Sequence, residues 1–215
     1  PVAGIAVVAR RGAPVLAAFV GTLLVEYCWS GELGALGERS VALVWFAAFA
    51  LGYLALPFLF RRRVLDLQPL WAVAALALPL HFLLIHRAVA TLWPQLTADF
   101  GGALPALCAL PPLLGLVALL RTIPADAPCR LNRLAWFGAA TLFFITLIFP
   151  LQFSNQWLTI GWALEGAALL WLFHRIPHPG LRVAGISLLA VVFARLVLNP
   201  EVLHYAMRSP TPIFN

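Results

Sequence analysis

The chain has 215 residues, of which 63% are hydrophobic and only 10% charged, and its mean hydropathy is +0.95. Soluble domains carry about 25% charged residues, so this inventory cannot build a water-facing surface, and lipid is the solvent that fits it. The net charge of +6 comes from 14 basic side chains, all arginine and clustered between apolar runs, a pattern that fits orientation in a bilayer rather than a nucleic-acid face; the lack of lysine excludes a retinal Schiff base.

A helix needs about 20 mostly apolar residues to cross the hydrocarbon. The first such run, 13–30, follows Arg10 and Arg11, carries Glu26 and ends at Ser30-Gly31-Glu32. The second, 40–60, runs into Arg61-Arg62-Arg63, and the third, 68–87, carries His81 and His86. The fourth, 102–120, contains Pro105, Pro111 and Pro112, which predicts either a kinked packing helix or a discontinuous one beside a substrate path. After Pro124-Ala125-Asp126-Ala127-Pro128 comes the fifth, 132–150, then the sixth, 156–174, with Glu165. Pro177-His178-Pro179-Gly180 separates it from the seventh, 181–199, which contains Arg195. The expectation is an all-α, polytopic transmembrane helical bundle of about seven spans, forming one domain over 1–215. Pro1 in place of methionine and a Pro-rich end make it a piece of a longer chain, whose remaining spans, lipid and other envelope proteins are the expected partners.

Arginine sorting predicts orientation. With seven alternating spans, ten arginines share the side of the N-terminus: 10, 11, 61, 62, 63, 121, 130, 133, 175 and 182. Only Arg39, Arg87 and Arg208 fall opposite. Cytoplasmic loops carry the basic excess, so the N-terminus belongs inside and the C-terminus outside. Trp29, Trp45, Trp93 and Trp157 then lie near the outer boundary, and Trp71 and Trp136 near the inner one.

Ionisable groups within apolar spans are costly and are functional candidates by default. Glu26 and Arg195 each lie four residues from the outer end of their span, His81 lies six, and Glu165 lies nine. Glu26, His81, Glu165 and Arg195 thus form a candidate outer-leaflet cluster, supported by His86, Gln152, Asn155, Gln156 and Asn199. Arg195, the one cation among them, has Glu165 and Glu26 as candidate partners. Gly161 and Gly166 keep the helix slim beside Glu165, so a neighbour can approach. Cys28, Cys108 and Cys129 have no metal-like spacing, and no catalytic triad, phosphate loop or HExxH pattern occurs, so neither metal nor cofactor is expected.

The segment Trp157-Leu-Thr-Ile-Gly-Trp162-Ala-Leu-Glu165-Gly-Ala-Ala-Leu-Leu-Trp171, with Gly180-Leu-Arg182-Val-Ala-Gly185 and Pro212-Ile-Phe-Asn215, resembles a family of large bacterial inner-membrane proteins known as domain of unknown function number twenty-three thirty-nine. The resemblance is best from 150 to 215. It implies many spans in a bacterial cytoplasmic membrane and supplies no activity. Three functions fit: a cell-envelope scaffold or assembly component, a transporter or flippase-like protein with an outward-facing polar pocket, and an intramembrane enzyme acting on a lipid-linked substrate with Glu165 or His81 as acid or base. The last lacks a nucleophile or metal constellation.

Overall fold

The computed structural model describes residues 12–34, 36–60, 64–124, 127, 129–152, 155–175 and 179–198, excluding the side chains of 155–158, 172 and 175. Among the described residues all regular structure is helical: α1 (Gly12–Glu32), α2 (Leu36–Leu59), α3 (Gln68–Leu92), α4 (Pro94–Asp99), α5 (Ala103–Thr122), α6 (Arg130–Gln152), α7 (Asn155–Arg175) and α8 (Pro179–Leu198). The seven long helices fall on the seven expected runs, and among the described residues six of them are long and apolar enough to cross a bilayer. The exception is α7, 21 residues long, whose first half carries Asn155, Gln156, Thr159 and Glu165. The short α4 was not expected; Trp93-Pro94 starts it, because proline at a first helical position gives up only an N–H that would be unpaired anyway.

The chain packs as two compact units, Pro1–Ile145 and Thr146–Asn215, with the boundary falling inside α6. In the first unit α3 is the central helix. Its alanines Ala74, Ala75 and Ala77 are fully buried and small, so neighbours approach closely, which is how helices associate where lipid offers no hydrophobic drive. One core joins Val15 and Phe19 to Tyr53, Val64, Leu70, Val73 and Ala77. A second joins Trp71, Ala74 and Ala75 to Leu119, Ile123, Phe137 and Ala140.

Pairwise contacts fix direction within this unit. Gly12 meets Pro69 and Tyr27 meets Leu80, so α1 and α3 run parallel. Trp29 packs edge-to-face against Phe46 and Phe19 against Tyr53, so α2 runs against α1. Trp71 meets Phe137 and Phe82 meets Phe144, so α6 runs with α3. This is the alternation that the arginine sorting requires. Arg10, Arg11, Arg61, Arg62, Arg63 and Arg208, and the side chain of Arg175, lie outside the described residues.

The proline-rich α5 is continuous through Pro111 and Pro112, and Pro105 sits in its first turn. It is a packing helix: Gly115 lets the rings of Phe137 and Phe58 come so near that a Cβ there would lie 2.5 Å from Phe137. In the second unit α7 and α8 are antiparallel and cross at glycines. Gly166 faces Leu189 and the Gly185 carbonyl, and Gly185 faces Leu170 and the Gly166 carbonyl.

Candidate functional site

Polar side chains within the helices gather at three places, two in the first unit and one in the second. The first place lies between α1, α2 and α3. Phe19, Thr22 and Glu26 recur at helical spacing, so one stripe of α1 faces the bundle. The Thr22 hydroxyl donates to the Ala18 carbonyl (2.8 Å), so the Tyr53 hydroxyl, 3.0 Å away, must be the donor to Thr22. One turn further along, Glu26 Oε2 lies 2.9 Å from His81 Nε2 on α3. His81 is 0% exposed and Glu26 4%.

The protonation of this pair follows from its neighbours. His81 Nδ1 lies 2.6 Å from the Ala77 carbonyl oxygen. A carbonyl only accepts, so Nδ1 carries a hydrogen. Nε2 and the Glu26 carboxyl then hold one further proton between them; without it two lone pairs would face each other in a buried space. The pair is therefore neutral in total, whether written as imidazolium and carboxylate or as imidazole and carboxylic acid. The approach is bent away from a straight hydrogen bond, and Glu26 Oε1 has no partner among the described residues, so charge attraction rather than alignment holds the contact.

The second place is at the opposite end of the same unit. Trp71, Phe58 and Phe137 pack edge-to-face with centroids 5.4–6.4 Å apart. The guanidinium of Arg133 sits 5.5 Å over the Trp71 ring and donates to the Leu65 carbonyl at 2.5 Å. Trp71 Nε1 donates to the Val64 carbonyl. Arg133 is 2% exposed, so it is a packing residue as well as one of the sorted arginines, a role the sequence reading missed. Its spacing of four from Phe137, at the height of Trp71, was the available signal.

The third place is in the second unit. Thr146 on α6 donates its hydroxyl to Glu165 Oε1 on α7. Gly161, one turn before Glu165, admits the Phe149 ring, and Gly166 admits Leu189, so both glycines bring neighbours close as expected. The expected partner, Arg195, does not ion-pair with Glu165. Since Gly166 lies opposite Gly185 and Leu189, stepping toward the C-terminal end of α8 brings Arg195 level with about residue 159, roughly six residues or about 9 Å from Glu165. Glu26, the other candidate partner for Arg195, is taken by His81. Glu165 Oε2, Trp162 Nε1 and Arg195 Nε are buried without hydrogen-bond partners among the described residues. Thr146 and Trp162 were not singled out from sequence.

Of the supporting residues, His86 packs edge-on against Phe82 at 5.7 Å and Gln152 is exposed. The side chains of Asn155 and Gln156, and the whole of Asn199, lie outside the described residues. A shallow groove of about 490 Å³ beside the α1–α2 turn, lined by Trp29, Glu32, Leu33, Gly37, Glu38 and Val41, includes none of the cluster. Among the described residues no three His, Cys, Asp or Glu side chains come together as a metal site.

Apolar spans holding a few buried ionisable groups are the build of an integral membrane protein, and the family comparison agrees. The family model described as "Predicted membrane protein (DUF2339)" matches residues 2–214. The chain belongs to this family. The DUF2339 match extends over the whole bundle, beyond the last third where the motifs around Glu165 carry the resemblance. No curated protein and no solved structure matches the chain.

Proposed function

We propose that this DUF2339 protein is a membrane scaffold or assembly component of the bacterial cell envelope, whose buried polar contacts fix how its helices pack. The observation that carries the reading is the Glu26–His81 pair, which is closed off between α1 and α3 with a fully buried imidazole. A solute path would need such groups to meet water. Here they meet each other, and Arg133 is likewise spent on the Leu65 carbonyl and the Trp71 ring. Charged and hydrogen-bonded pairs of this kind specify one arrangement of helices, because any other leaves them unpaired in hydrocarbon.

The parallel course of α1, α3 and α6 supports the alternation behind the arginine count, and with it an inner-membrane protein with the N-terminus of this region inside and its C-terminus outside. A transporter or flippase-like role is the second reading. It draws on the unit of α7 and α8, where Glu165, Trp162 and Arg195 retain unused hydrogen-bonding atoms.

The deciding experiment is quantitative cross-linking in native membranes, with photoreactive residues at exposed positions such as Leu24, Val44 and Leu114. A scaffold gives reproducible adducts to a small set of envelope proteins, lost when His81→Leu strands the Glu26 carboxyl and restored in part when Glu26 is replaced by leucine as well. Adducts to lipid alone, together with solute-dependent protection of the purified protein, would overturn the scaffold reading in favour of transport.

A further inference from the structure

We propose that α4 is an in-plane membrane anchor: Trp93, Leu96 and Phe100 form a surface that rests on the boundary between lipid headgroups and acyl chains and holds the joined ends of α3 and α5 at one depth. The assignment is independent of the scaffold reading, because its partner is lipid and none of the buried polar contacts takes part.

The sequence dictates a break at this point and then a restart. Pro94 disfavours helical backbone in the residue before it, and Trp93 leaves α3 at φ −134° and ψ 69°. The same proline then opens α4. The Thr97 N–H donates to the Trp93 carbonyl at 3.1 Å and the Phe100 N–H to the Leu96 carbonyl at 2.9 Å, so Trp93 and Phe100 belong to the same helical register as α4. At 3.6 residues per turn, Trp93, Leu96 and Phe100 fall within about 60° of one another, while Gln95 and Asp99 fall on the far side. Thr97, beside the apolar stripe, turns its hydroxyl back to the Trp93 carbonyl at 3.0 Å.

The protein leaves this stripe uncovered. Trp93 is 51% exposed, Leu96 53% and Phe100 60%, and α4 contributes no buried residue. Position supplies the cover. Both α3 and α5 are long and apolar enough to cross a bilayer. They run antiparallel, since Trp71 near the start of α3 shares a core with Leu119 and Ile123 at the end of α5. Thus α4 joins two spans at one membrane surface, with a single residue, Trp93, between it and α3 and only Phe100-Gly101-Gly102 between it and α5. So short a tether keeps α4 at the bilayer. The span that follows presents Leu107, Leu110 and Leu114, exposed at the same spacing, so lipid already reaches the foot of α4.

The headgroup boundary is the environment this stripe fits. Tryptophan concentrates there because its ring is apolar while its N–H needs a polar partner. An amphipathic segment lying in the plane sinks its apolar face about 5–10 Å into that boundary. Three half-exposed side chains fall far short, by themselves, of the roughly 800 Å² that each partner buries in a stable protein interface, so lipid rather than a second protein is the occupant.

The test is tryptophan quenching of the purified chain in vesicles whose lipids carry bromine either near the headgroup end of the acyl chain or near its methyl end. Subtracting the Trp93→Phe signal from that of the wild type isolates one indole of the eight, and phenylalanine keeps the stripe apolar. The Trp93 signal is expected to be quenched about twofold more by the shallow bromine than by the deep one, and to be shielded from aqueous acrylamide. Leu96→Asp puts a charge on the stripe, and it should lower the shallow quenching about twofold and raise that by acrylamide. Gln95→Asp, on the far side, should change neither. Both positions lie outside the two cores of the first unit, so both variants keep the bundle. Deep quenching equal to shallow, or a Trp93 signal insensitive to Leu96→Asp, overturns the proposal. Quenching by acrylamide alone puts α4 in water, and resistance to all three quenchers assigns the stripe to a partner protein or a second copy; either result also overturns it.

Discussion

Removing His81 alone from the Glu26–His81 pair should be worse than removing both members. His81→Leu strands the Glu26 carboxyl between α1 and α3. Its Oε1 has no partner among the described residues and its Oε2 has only His81, so a buried group of ionic character is left uncompensated, which costs about 3–5 kcal/mol. Glu26→Leu leaves His81 Nε2 unsatisfied while Nδ1 keeps Ala77, and the cost is that of one buried polar atom, about 1–3 kcal/mol. The double variant strands nothing and fills the space with two apolar side chains of similar reach, so it should cost about 2 kcal/mol or less. The two single effects therefore exceed the double by about 2 kcal/mol or more, well above the 0.3–0.5 kcal/mol scatter expected of roughly independent sites.

Glu26→Gln gives a finer test of the proton count. Its amide can donate to Nε2 while Nδ1 keeps its hydrogen, so the contact survives as a neutral hydrogen bond. The loss should be under about 1 kcal/mol, in line with interhelical hydrogen bonds in membranes. The assay is reversible unfolding in mixed detergent micelles titrated with SDS, followed by tryptophan fluorescence and circular dichroism. Additive single effects, or a Glu26→Gln as damaging as His81→Leu, would falsify the shared-proton description.

Glu165→Gln and Arg195→Met should combine additively in unfolding free energy, to within about 0.5 kcal/mol, because the two side chains are not paired; recovery in the double variant would show the register of α7 and α8 to be wrong. Thr146→Val removes the hydroxyl that bonds Glu165 and should cost about 1–2 kcal/mol in the same SDS titration. Gly185→Ala would put a Cβ 3.1 Å from the Gly166 carbonyl, where backbone must move, and should cost about 1–3 kcal/mol, whereas Gly21→Ala meets nothing within 4 Å and should be neutral or stabilising. Trp71→Ala removes the central ring of the Phe58–Phe137 cluster and the face beneath Arg133, so a loss of about 3–5 kcal/mol is expected, read as a lowered SDS midpoint.

The positions of the long helices were legible because bilayer thickness acts on each segment separately. A run of about 20 apolar residues is a local property, and the arginine clusters that bound it are local too. The helices found depart from the expected runs mainly at their ends, as with α3, which continues past Arg87 to Leu92. The uninterrupted α5 was harder to read. Pro111 and Pro112 announce lost backbone donors, but whether a helix breaks there depends on what neighbours supply, and Gly115 with Phe58 and Phe137 is a contact across three helices. The buried role of Arg133 was hidden for the same reason, since the Leu65 carbonyl that receives it is 68 residues away.

Within the candidate cluster the decisive variable is depth, and charge type alone misleads. Arg195 and Glu165 are the natural partners by chemistry, yet they lie four residues from the C-terminal end and nine from the N-terminal end of their antiparallel runs. Glu26 and His81, at four and six, are nearly level, and they are the pair that forms. A helix in a bundle cannot slide to bring a favourable pair together, because the glycine contacts that let α7 and α8 touch also lock their register: moving Arg195 by about 9 Å would push Leu189 and Leu170 off Gly166 and Gly185 and open gaps along the whole crossing. Close packing at the glycines therefore sets the height of the ionisable groups. The charges must then find partners at that height, as Glu26 does in His81.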